Sequence, residues 1–434
     1  MRLFYRILIS FIFLAVLLGI IAFARGYRLD LERQSLTPTG IIAVSAYPKA
    51  SKVFVNGELR GVSDINLTLP PGYYEVEVKK DGFTGWSKNV TLKGELVLTL
   101  DVLLYPLNPS LSPLTNLSIN RGIPIAQSDR MFLISENDDE EKDGVYLFET
   151  SKTPISFFAP LKLVVLKKSL VDRMGAINLK DIAVVVSPDV KEAIFTFETS
   201  AGEISYLISL EGSVKQTAES ITSPVEPRFF DVTSSKATLI EAWTRQKEEV
   251  KQKILESYPK EFVKVASDSF SLIDFSPDET KLLYQPRKPA FLTQAISPPL
   301  IATNQTPEVR QLEANSLYVY DKKEDRNYKI DPINLIDLIP DKNSLGQSDQ
   351  LEIRQPDGQV ENYITWYSDS KHLVVNQGQK ISILDYDGQN QQTVYSGQFE
   401  SDFFKLTSDG RILILTNLNP EANKYPDLYA VGIR

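Results

Sequence analysis

The apolar positions of this 434-residue chain fall into three regions with different spacing. Residues 7–24 form one uninterrupted apolar run, residues 41–105 alternate apolar and polar positions, and residues 118–434 carry short apolar runs behind polar turns. An uninterrupted run is typical of a membrane helix, and alternation is typical of half-buried β-strands. The pattern therefore predicts a mainly β protein that follows one N-terminal helix.

The apolar run at residues 7–24, ILISFIFLAVLLGIIAFA, contains no charged residue. As a helix that rises about 1.5 Å per residue it would span roughly 27 Å, close to the hydrocarbon thickness of a bilayer. We interpret it as a single transmembrane anchor, with residues 1–6 in the cytoplasm and the bulk of the chain outside it. A cleaved signal peptide is the alternative, because Ala22-Phe23-Ala24 has the small-x-small form of a cleavage site.

Turn signals and alternating runs follow each other closely between residues 41 and 105. Asn56-Gly57 is a strong hairpin signal, and Pro70-Pro71-Gly72 marks a second turn. The stretch YYEVEV that follows alternates apolar and charged positions, as a strand with one buried face does. Several short strands in so few residues predict a small antiparallel β-sandwich.

The order of these parts resembles the PEGA domain family over residues 41–105. The resemblance lies in VFVNGELRG, LPPGYYEVEV and DGFTGW, the last with the aromatic pair Phe83 and Trp86. The eponymous Pro-Glu-Gly-Ala tetrad appears here as Pro48-Lys49-Ala50-Ser51. The resemblance implies a non-catalytic module of an envelope protein, serving as a spacer or adhesive element. A generic β-sandwich without a ligand is the alternative.

Residues 106–117, PLNPSLSPLTNL, carry three prolines and no strand periodicity. Proline fixes the backbone and removes a hydrogen-bond donor, so this composition predicts a stiffened linker.

Polar turns that lead into apolar strands recur between residues 118 and 434. Clear copies are Ser187-Pro188-Asp189, Ser276-Pro277-Asp278, Ser368-Asp369-Ser370 and Ser408-Asp409-Gly410, and fainter copies are Ser128-Asp129 and Ser234-Ser235. Aromatic-rich strands such as NSLYVYD and ISILDYDG follow most copies. A turn, a buried strand and a second strand, repeated about every 40 to 60 residues, fit the blade of a β-propeller. We expect about six blades, with seven blades, an irregular count or a pair of β-sandwiches as alternatives.

The repeat resembles TolB-like and WD-repeat-like propellers over residues 118–434. Because no Trp-Asp dipeptide ends a blade, the TolB-like class is the nearer one. Residues 285–307, rich in proline, interrupt the repeat and are interpreted as an inserted loop. A helix is predicted over residues 247–258, either as a blade-capping insertion or as a partner-binding helix.

Residues that carry chemistry are scarce. The chain has no cysteine, which excludes thiol catalysis, thiolate metal sites and disulfides, and its one histidine, His372, cannot form a metal cluster alone. We interpret His372, at the start of an apolar strand, as structural. The acidic run at residues 138–141 lacks the spacing of a calcium loop, so a hydrated loop is favoured over casual calcium binding. The sequence therefore predicts no catalytic, cofactor-binding or metal-binding residue.

The net charge of −9, without a run of Lys or Arg longer than a pair, argues against nucleic acid as a partner. We expect a non-catalytic, single-pass, membrane-anchored envelope protein whose propeller binds a protein or a glycan. A propeller hydrolase that uses carboxylates in its channel and a purely structural spacer are the alternatives.

Overall fold

The fold is described from a computed structural model. It describes residues 2–24, 27–30, 35–126, 128–150, 161–200, 202–210, 229–330, 363–378, 380–421 and 423–433. The chain divides into two compact units. The first unit runs to Asn108 and also contains Ile296–Pro307, and the second unit contains Pro109–Ala295 and Glu308–Ile433.

The first unit begins with helix α1, Arg2–Ala24. Its central window, Phe4–Ile21, has a mean hydropathy of 2.5 and no buried residue. Among the described residues this is the one helix long and apolar enough to cross a membrane, although an N-terminal signal sequence would have the same properties. Strands β1, Tyr27–Asp30, and β2, Ser35–Pro38, follow it as an antiparallel pair.

The sandwich module, residues 40–103, contains seven strands in two sheets. The strands are β3 Gly40–Tyr47, β4 Lys52–Val55, β5 Glu58–Val62, β6 Ile65–Leu69, β7 Gly72–Lys79, β8 Trp86–Leu92 and β9 Val97–Leu103. One sheet has the order β6-β3-β9 and the other β5-β4-β7-β8. Their inner faces bury Ile42, Val53, Val76 and Trp86, the alternating positions that the sequence indicates.

One strand pair in the module departs from the antiparallel prediction. Strands β3 and β9 run parallel, with Ile41 opposite Val97 and Tyr47 opposite Leu103. Parallel neighbours need a long connection, and the strands between β3 and β9 provide one. The sandwich prediction is therefore right in architecture and wrong for this pair.

The second unit contains five four-stranded antiparallel sheets within the described residues. Its first strand is β10, Ser110–Pro113. Sheet I contains β11 Ile119–Pro124, β12 Arg130–Ser135, β13 Gly144–Glu149 and β14 Leu161–Leu166. Sheet II contains β15 Ala183–Val186, β16 Glu192–Thr199, β17 Gly202–Ser209 and β18 Phe229–Asp231.

The remaining sheets follow the same up-and-down order. Sheet III contains β19 Phe270–Phe275, β20 Lys281–Pro286, β23 Tyr318–Asp321 and β24 Arg326–Lys329, and its insertion carries the pair β21 Ala290–Phe291 and β22 Gln311–Leu312. Sheet IV contains β25 Ile364–Trp366, β26 His372–Asn376, β27 Lys380–Asp385 and β28 Gln392–Ser396. Sheet V contains β29 Phe404–Leu406, β30 Ile412–Thr416 and β31 Asp427–Gly432, with β10 as its outer strand.

The pairing of β10 corrects the linker prediction for residues 106–117. Ser110 lies opposite Gly432 and Pro113 lies opposite Tyr429, so part of this segment is a strand of sheet V. Proline is tolerated there because β10 is an edge strand, whose outer side needs no donors. The two ends of the second unit thus share one sheet.

Neighbouring sheets share apolar cores, as propeller blades do. Sheets I and II pack through Phe132 and Phe195, whose rings meet edge to face at 5.1 Å. Sheets V and I share a core that includes Phe403 and Leu133, and sheets III and IV share one that includes Val319 and Leu373. The predicted fold class, mainly β with an N-terminal apolar helix, a sandwich and repeated sheets, is confirmed.

The helices in the second unit correct two predictions. They are α2 Lys167–Met174, a short 3-10 helix at Leu179–Asp181, α3 Lys236–Glu256 and α4 Lys260–Ser269. The repeat copy at Ser234-Ser235 leads into α3 rather than a strand, because the residues behind it space their apolar side chains three to four apart. The helix predicted over 247–258 therefore starts earlier, at Lys236.

Helix α3 packs through its C-terminal end. One core contains Leu255, in the last turn of α3, and Tyr258, two residues beyond the end of the helix. The same core contains Phe262 of α4 and Tyr320 of sheet III. The rings of Phe262 and Tyr320 stack at 3.9 Å. Val250 is exposed, so the predicted apolar face is buried only at its C-terminal part.

Candidate functional site

Four of the repeated turns meet at one cavity of about 560 Å³. The ends of the first strands of sheets I, III, IV and V line it together with the turns that follow those strands. The lining residues include Pro124, Ile125, Ser128, Asp129, Asp274, Phe275, Ser276, Glu279, Thr365, Trp366, Ser368, Phe404, Lys405, Thr407 and Ser408, and Ile254 of α3. Because each of these turns follows the first strand of its sheet, the repeat places the lining residues at equivalent positions in the four sheets.

The turns owe their shape to an aspartate and to the residue two positions before it. In sheet III the Ser276 hydroxyl donates to Asp278 at 2.7 Å, and the backbone amide of Lys281 donates back to the same hydroxyl at 2.9 Å. In sheet II, Ser187 and Asp189 make the same 2.7 Å bond. In sheet V, the Thr407 hydroxyl donates to Asp409. The turn is therefore Ser/Thr-x-Asp in sheets II, III and V, whereas in sheet IV Tyr367 stands two positions before Asp369.

This register differs by one residue from the sequence alignment of two of the clear copies. Matching Ser368 and Ser408 to Ser276 aligned the serines, whereas the structure aligns Asp369 and Asp409 with Asp278. Asp369 accepts the backbone amide of Lys371 at 2.8 Å, as Asp278 accepts that of Thr280 at 3.2 Å. The signal that could have found this register is the aspartate, which stands three residues before the apolar strand in sheets II, III, IV and V.

The turn aspartates are held as carboxylates. Burial alone would raise the pKa of Asp278, but hydrogen bonds from Ser276 and Thr280 lower it to about 2. The hydrogen bond from Ser187 likewise lowers the pKa of Asp189. These groups are therefore charged at neutral pH, and they serve the turn rather than proton transfer.

Successive turns are linked to one another by hydrogen bonds. The backbone amide of Asp278 in sheet III donates to the Ser370 hydroxyl in sheet IV at 3.0 Å. The Tyr367 hydroxyl in sheet IV donates to the Gly410 carbonyl in sheet V at 3.0 Å. Ser408 in sheet V donates to Asp129 in sheet I. Hydrogen bonds thus join the turns of sheets III, IV, V and I in series along the rim of the cavity.

The cavity offers mixed chemistry. Lys405 is buried, and its ammonium donates to the Ile125 carbonyl at 2.7 Å. The Trp366 indole donates to the Asp274 carbonyl at 3.2 Å. Three carboxylate residues, Asp129, Asp274 and Glu279, line the cavity beside hydroxyl and aromatic residues. Polar groups set among apolar walls are the usual composition of a binding pocket.

The described part of the chain contains no cluster of side chains that could hold a metal ion. Within those residues, no three His, Asp or Glu side chains gather closely enough to hold a metal ion. Asp138–Glu141 remain an exposed loop, where Asp139 pairs with Lys142 at 3.5 Å and Glu140 with Lys168 at 3.1 Å. The hydrated-loop interpretation fits this arrangement.

His372 lies outside the cavity lining and is buried, with 4% of its surface exposed. Its Nδ1 lies 2.7 Å from Asp369, and its Nε2 lies 3.3 Å from Asp385. Burial lowers its pKa, but the two aspartates outweigh that effect and raise it to about 9. The imidazolium therefore joins the turn of sheet IV to strand β27. Sequence reasoning found the histidine but missed both partners; Asp369 is local, whereas Asp385 becomes a neighbour only through strand pairing.

No curated protein matches the chain in sequence. Among solved structures, a protein assigned as TolB from Agrobacterium tumefaciens has 11% identity and a TM-score of 0.20, covering 71% of this chain and 76% of its own. A protein assigned as a 6-phosphogluconolactonase from Bacteroides fragilis has 12% identity and a TM-score of 0.20, covering 87% and 94%. The tricorn protease has 11% identity and a TM-score of 0.18, covering 80% and 26%.

Since these TM-scores are low, the description of the second unit rests on its own sheets. The sandwich module has a match in sequence. Residues 39–108 match the family model described as PEGA domain, close to the range of 41–105 over which the sequence resembles it. This segment is a PEGA domain.

Proposed function

We propose that this chain is a non-catalytic, single-pass membrane protein of the cell envelope whose second unit binds a protein or a glycan. Helix α1 anchors the chain, the PEGA domain serves as a spacer or adhesive element, and the cavity of the second unit is the binding site. The observation that carries the proposal is the convergence of four repeated turns on one cavity.

The anchor is supported by the length of α1 and by the complete exposure of its apolar window Phe4–Ile21. A helix of this length and composition, with no buried residue in that window, suits the hydrocarbon interior of a bilayer. With everything else following it, the rest of the chain is expected outside the cytoplasm. Alkaline phosphatase and a cytoplasmic fluorescent reporter, fused separately to the C-terminus, test this; an inactive phosphatase with a bright reporter would refute it.

Binding without turnover is supported by the hydrogen bonds that polar groups in the cavity lining already make to the protein. Asp129 accepts hydrogen bonds from Ser408, and Lys405 donates to Ile125. A hydrolase that uses the cavity carboxylates is the second candidate, favoured by the presence of Asp129, Asp274 and Glu279 in one lining. A purely structural spacer is the third.

The site can be tested with one blocking substitution and a matched control. Thr365→Arg places a bulky cation in the cavity, whereas Thr393→Arg places one on the exposed part of β28. The full chain in nanodiscs is offered an array of envelope glycans and is photo-cross-linked in its own membrane. We expect retained glycans or cross-linked proteins to be lost in Thr365→Arg and kept in Thr393→Arg.

Equal binding by both variants would place the site elsewhere. Hydrolysis of any glycan, peptide or phosphoester that Asp129→Asn or Asp274→Asn abolishes would establish the hydrolase instead. A chain that retains no partner while it folds and inserts normally would favour the spacer.

A further inference from the structure

Residues 296–307 belong to the first unit although the segments on both sides of them belong to the second. Within them, Pro298-Pro299-Leu300-Ile301-Ala302 are five consecutive uncharged residues, all exposed. Leu300 is 42% exposed and Ile301 is 63% exposed. Single exposed apolar residues are ordinary, but a consecutive run of this length is a liability unless it has a function. We call residues 298–302 the apolar tip.

The apolar tip stands on a fixed base. Thr303 and Thr306, which follow it, are buried. Between them, the side-chain amide of Gln305 accepts from the Thr91 backbone amide at 2.7 Å and donates to the Thr91 carbonyl at 2.9 Å. This two-way bond imitates the pairing of another strand along the edge strand β8. The tip is therefore held at one place on the PEGA domain.

That place is the end of the domain from which the membrane helix departs. Thr91 precedes Leu92, the last residue of β8, and Leu92 packs against Gly40, where a β-carbon would lie 2.8 Å from its side chain. Gly40 begins β3, and the β1–β2 pair joins it to α1. Because β1 and β2 fold back on each other, they shorten the reach of the chain between the helix and the domain.

Other exposed residues at this end have matching character. Gly72 lies opposite Leu92, and its neighbours Pro70, Pro71 and Tyr73 are exposed. In the turn after β8, Lys93 and Glu95 are exposed and of opposite sign. An exposed apolar run beside an aromatic residue fits the interfacial region of a bilayer.

We propose that the apolar tip, residues 298–302, contacts the surface of the lipid bilayer in which α1 is anchored. The inference rests on the proposed membrane anchor and adds a second point of contact to it. The contact buries the tip, and Gln305 fixes the tip in the position from which it reaches the lipid.

The absence of cysteine in the chain allows the contact to be mapped with single labels. Ile301→Cys, Leu14→Cys and Val62→Cys, each in the full chain, carry an environment-sensitive fluorophore in phosphatidylcholine vesicles that contain brominated lipid. Leu14 lies in α1 and reports the anchor. Val62, which is 51% exposed, is the control because it lies at the opposite end of the PEGA domain. It is opposite Lys52 in the sheet, and Lys52 is opposite Lys79, the last residue of β7, whereas Gly72 at the other end of β7 lies near the tip.

We expect the labels at positions 14 and 301 to lose most of their fluorescence to the brominated lipid and the label at 62 to keep its fluorescence. Adding Gln305→Ala should restore much of the signal at 301 without changing that at 14. Quenching at 14 but not at 301 would overturn the inference and leave the anchor intact. A label at 301 that neither brominated lipid nor aqueous iodide reaches would overturn it too, since a protein would then cover the tip. If the label at position 14 is not quenched, the membrane anchor is refuted, and the contact of the apolar tip with the bilayer is refuted as well.

Discussion

The carboxylate of Asp129 accepts two hydrogen bonds from Ser408, one from its backbone amide at 3.0 Å and one from its hydroxyl at 2.8 Å. The two residues are 279 positions apart and belong to the turns of sheets I and V. The contact therefore joins the first complete sheet of the second unit to the last one, at the rim of the cavity. The pairing of β10 with β31 likewise joins the beginning of the second unit to its end, through backbone hydrogen bonds.

Replacing Asp129 by alanine is expected to lower the free energy of unfolding by about 1 to 2 kcal/mol, because both donors of Ser408 lose a charged acceptor. Urea unfolding of the full chain in detergent measures this. Asp138→Ala is the matched control, since Asp138 lies in an exposed loop, and it should change stability little. Equal effects of the two variants would show that the link contributes nothing.

The His372 ion pairs should make stability fall as pH rises. Because the folded-state pKa is raised from 6.5 to about 9, the contribution is fully present below pH 6.5 and is lost as pH rises through 9. The loss can reach about 3 kcal/mol, since each pKa unit corresponds to about 1.4 kcal/mol. Urea unfolding at a series of pH values between 6 and 10 measures the slope.

In His372→Gln this part of the slope should disappear, because glutamine fills the site without titrating. Asp385→Asn should reduce the slope, since one of the two carboxylates that raise the histidine pKa is then neutral. A wild-type slope that persists in His372→Gln would assign the pH dependence to other groups.

Gly410→Ala should destabilise the turn of sheet V by about 2 kcal/mol or more. The backbone of Gly410 has φ of +86°, and an added β-carbon would overlap the Tyr367 hydroxyl that donates to its carbonyl. Gly378→Ala is the control, with φ of +78° and no atom closer than 4.0 Å to an added β-carbon, so it measures the backbone strain without the overlap. The loss of unfolding free energy in Gly410→Ala should exceed the loss in the control, and this difference should shrink when Tyr367→Phe removes the hydroxyl. An unchanged difference would mean that the overlap with the hydroxyl does not cause it.

A fragment that begins at residue 109 should be more stable than one that begins at residue 118. The shorter fragment lacks β10, which leaves the backbone groups of β31 as an open edge. Thermal unfolding and light scattering of the two fragments measure the difference. Equal melting temperatures with equal solubility would show that residues 110–113 act as the linker that their prolines suggest.

The sequence by itself determined the features that depend on neighbours along the chain. The uncharged run at residues 7–24 is a helix because a continuous apolar run has no strand-like alternation, and YYEVEV is a half-buried strand because its faces differ. The turns of sheets II, III and V were visible because each needs only a serine or threonine, an aspartate and the next few backbone amides. Even there, the correct register depended on which side chain accepts those amides.

Only the tertiary structure decided the features that join distant parts of the chain. Residues 110–113 have a linker composition, yet they form a strand because β31 offers an edge that needs a partner. Gln305 has no local signal, and its importance comes from the backbone of Thr91 that folding brings beside it. The cavity has the same origin: each turn is encoded locally, but its position beside the others is set by the packing of one sheet on the next, which no spacing along the sequence records.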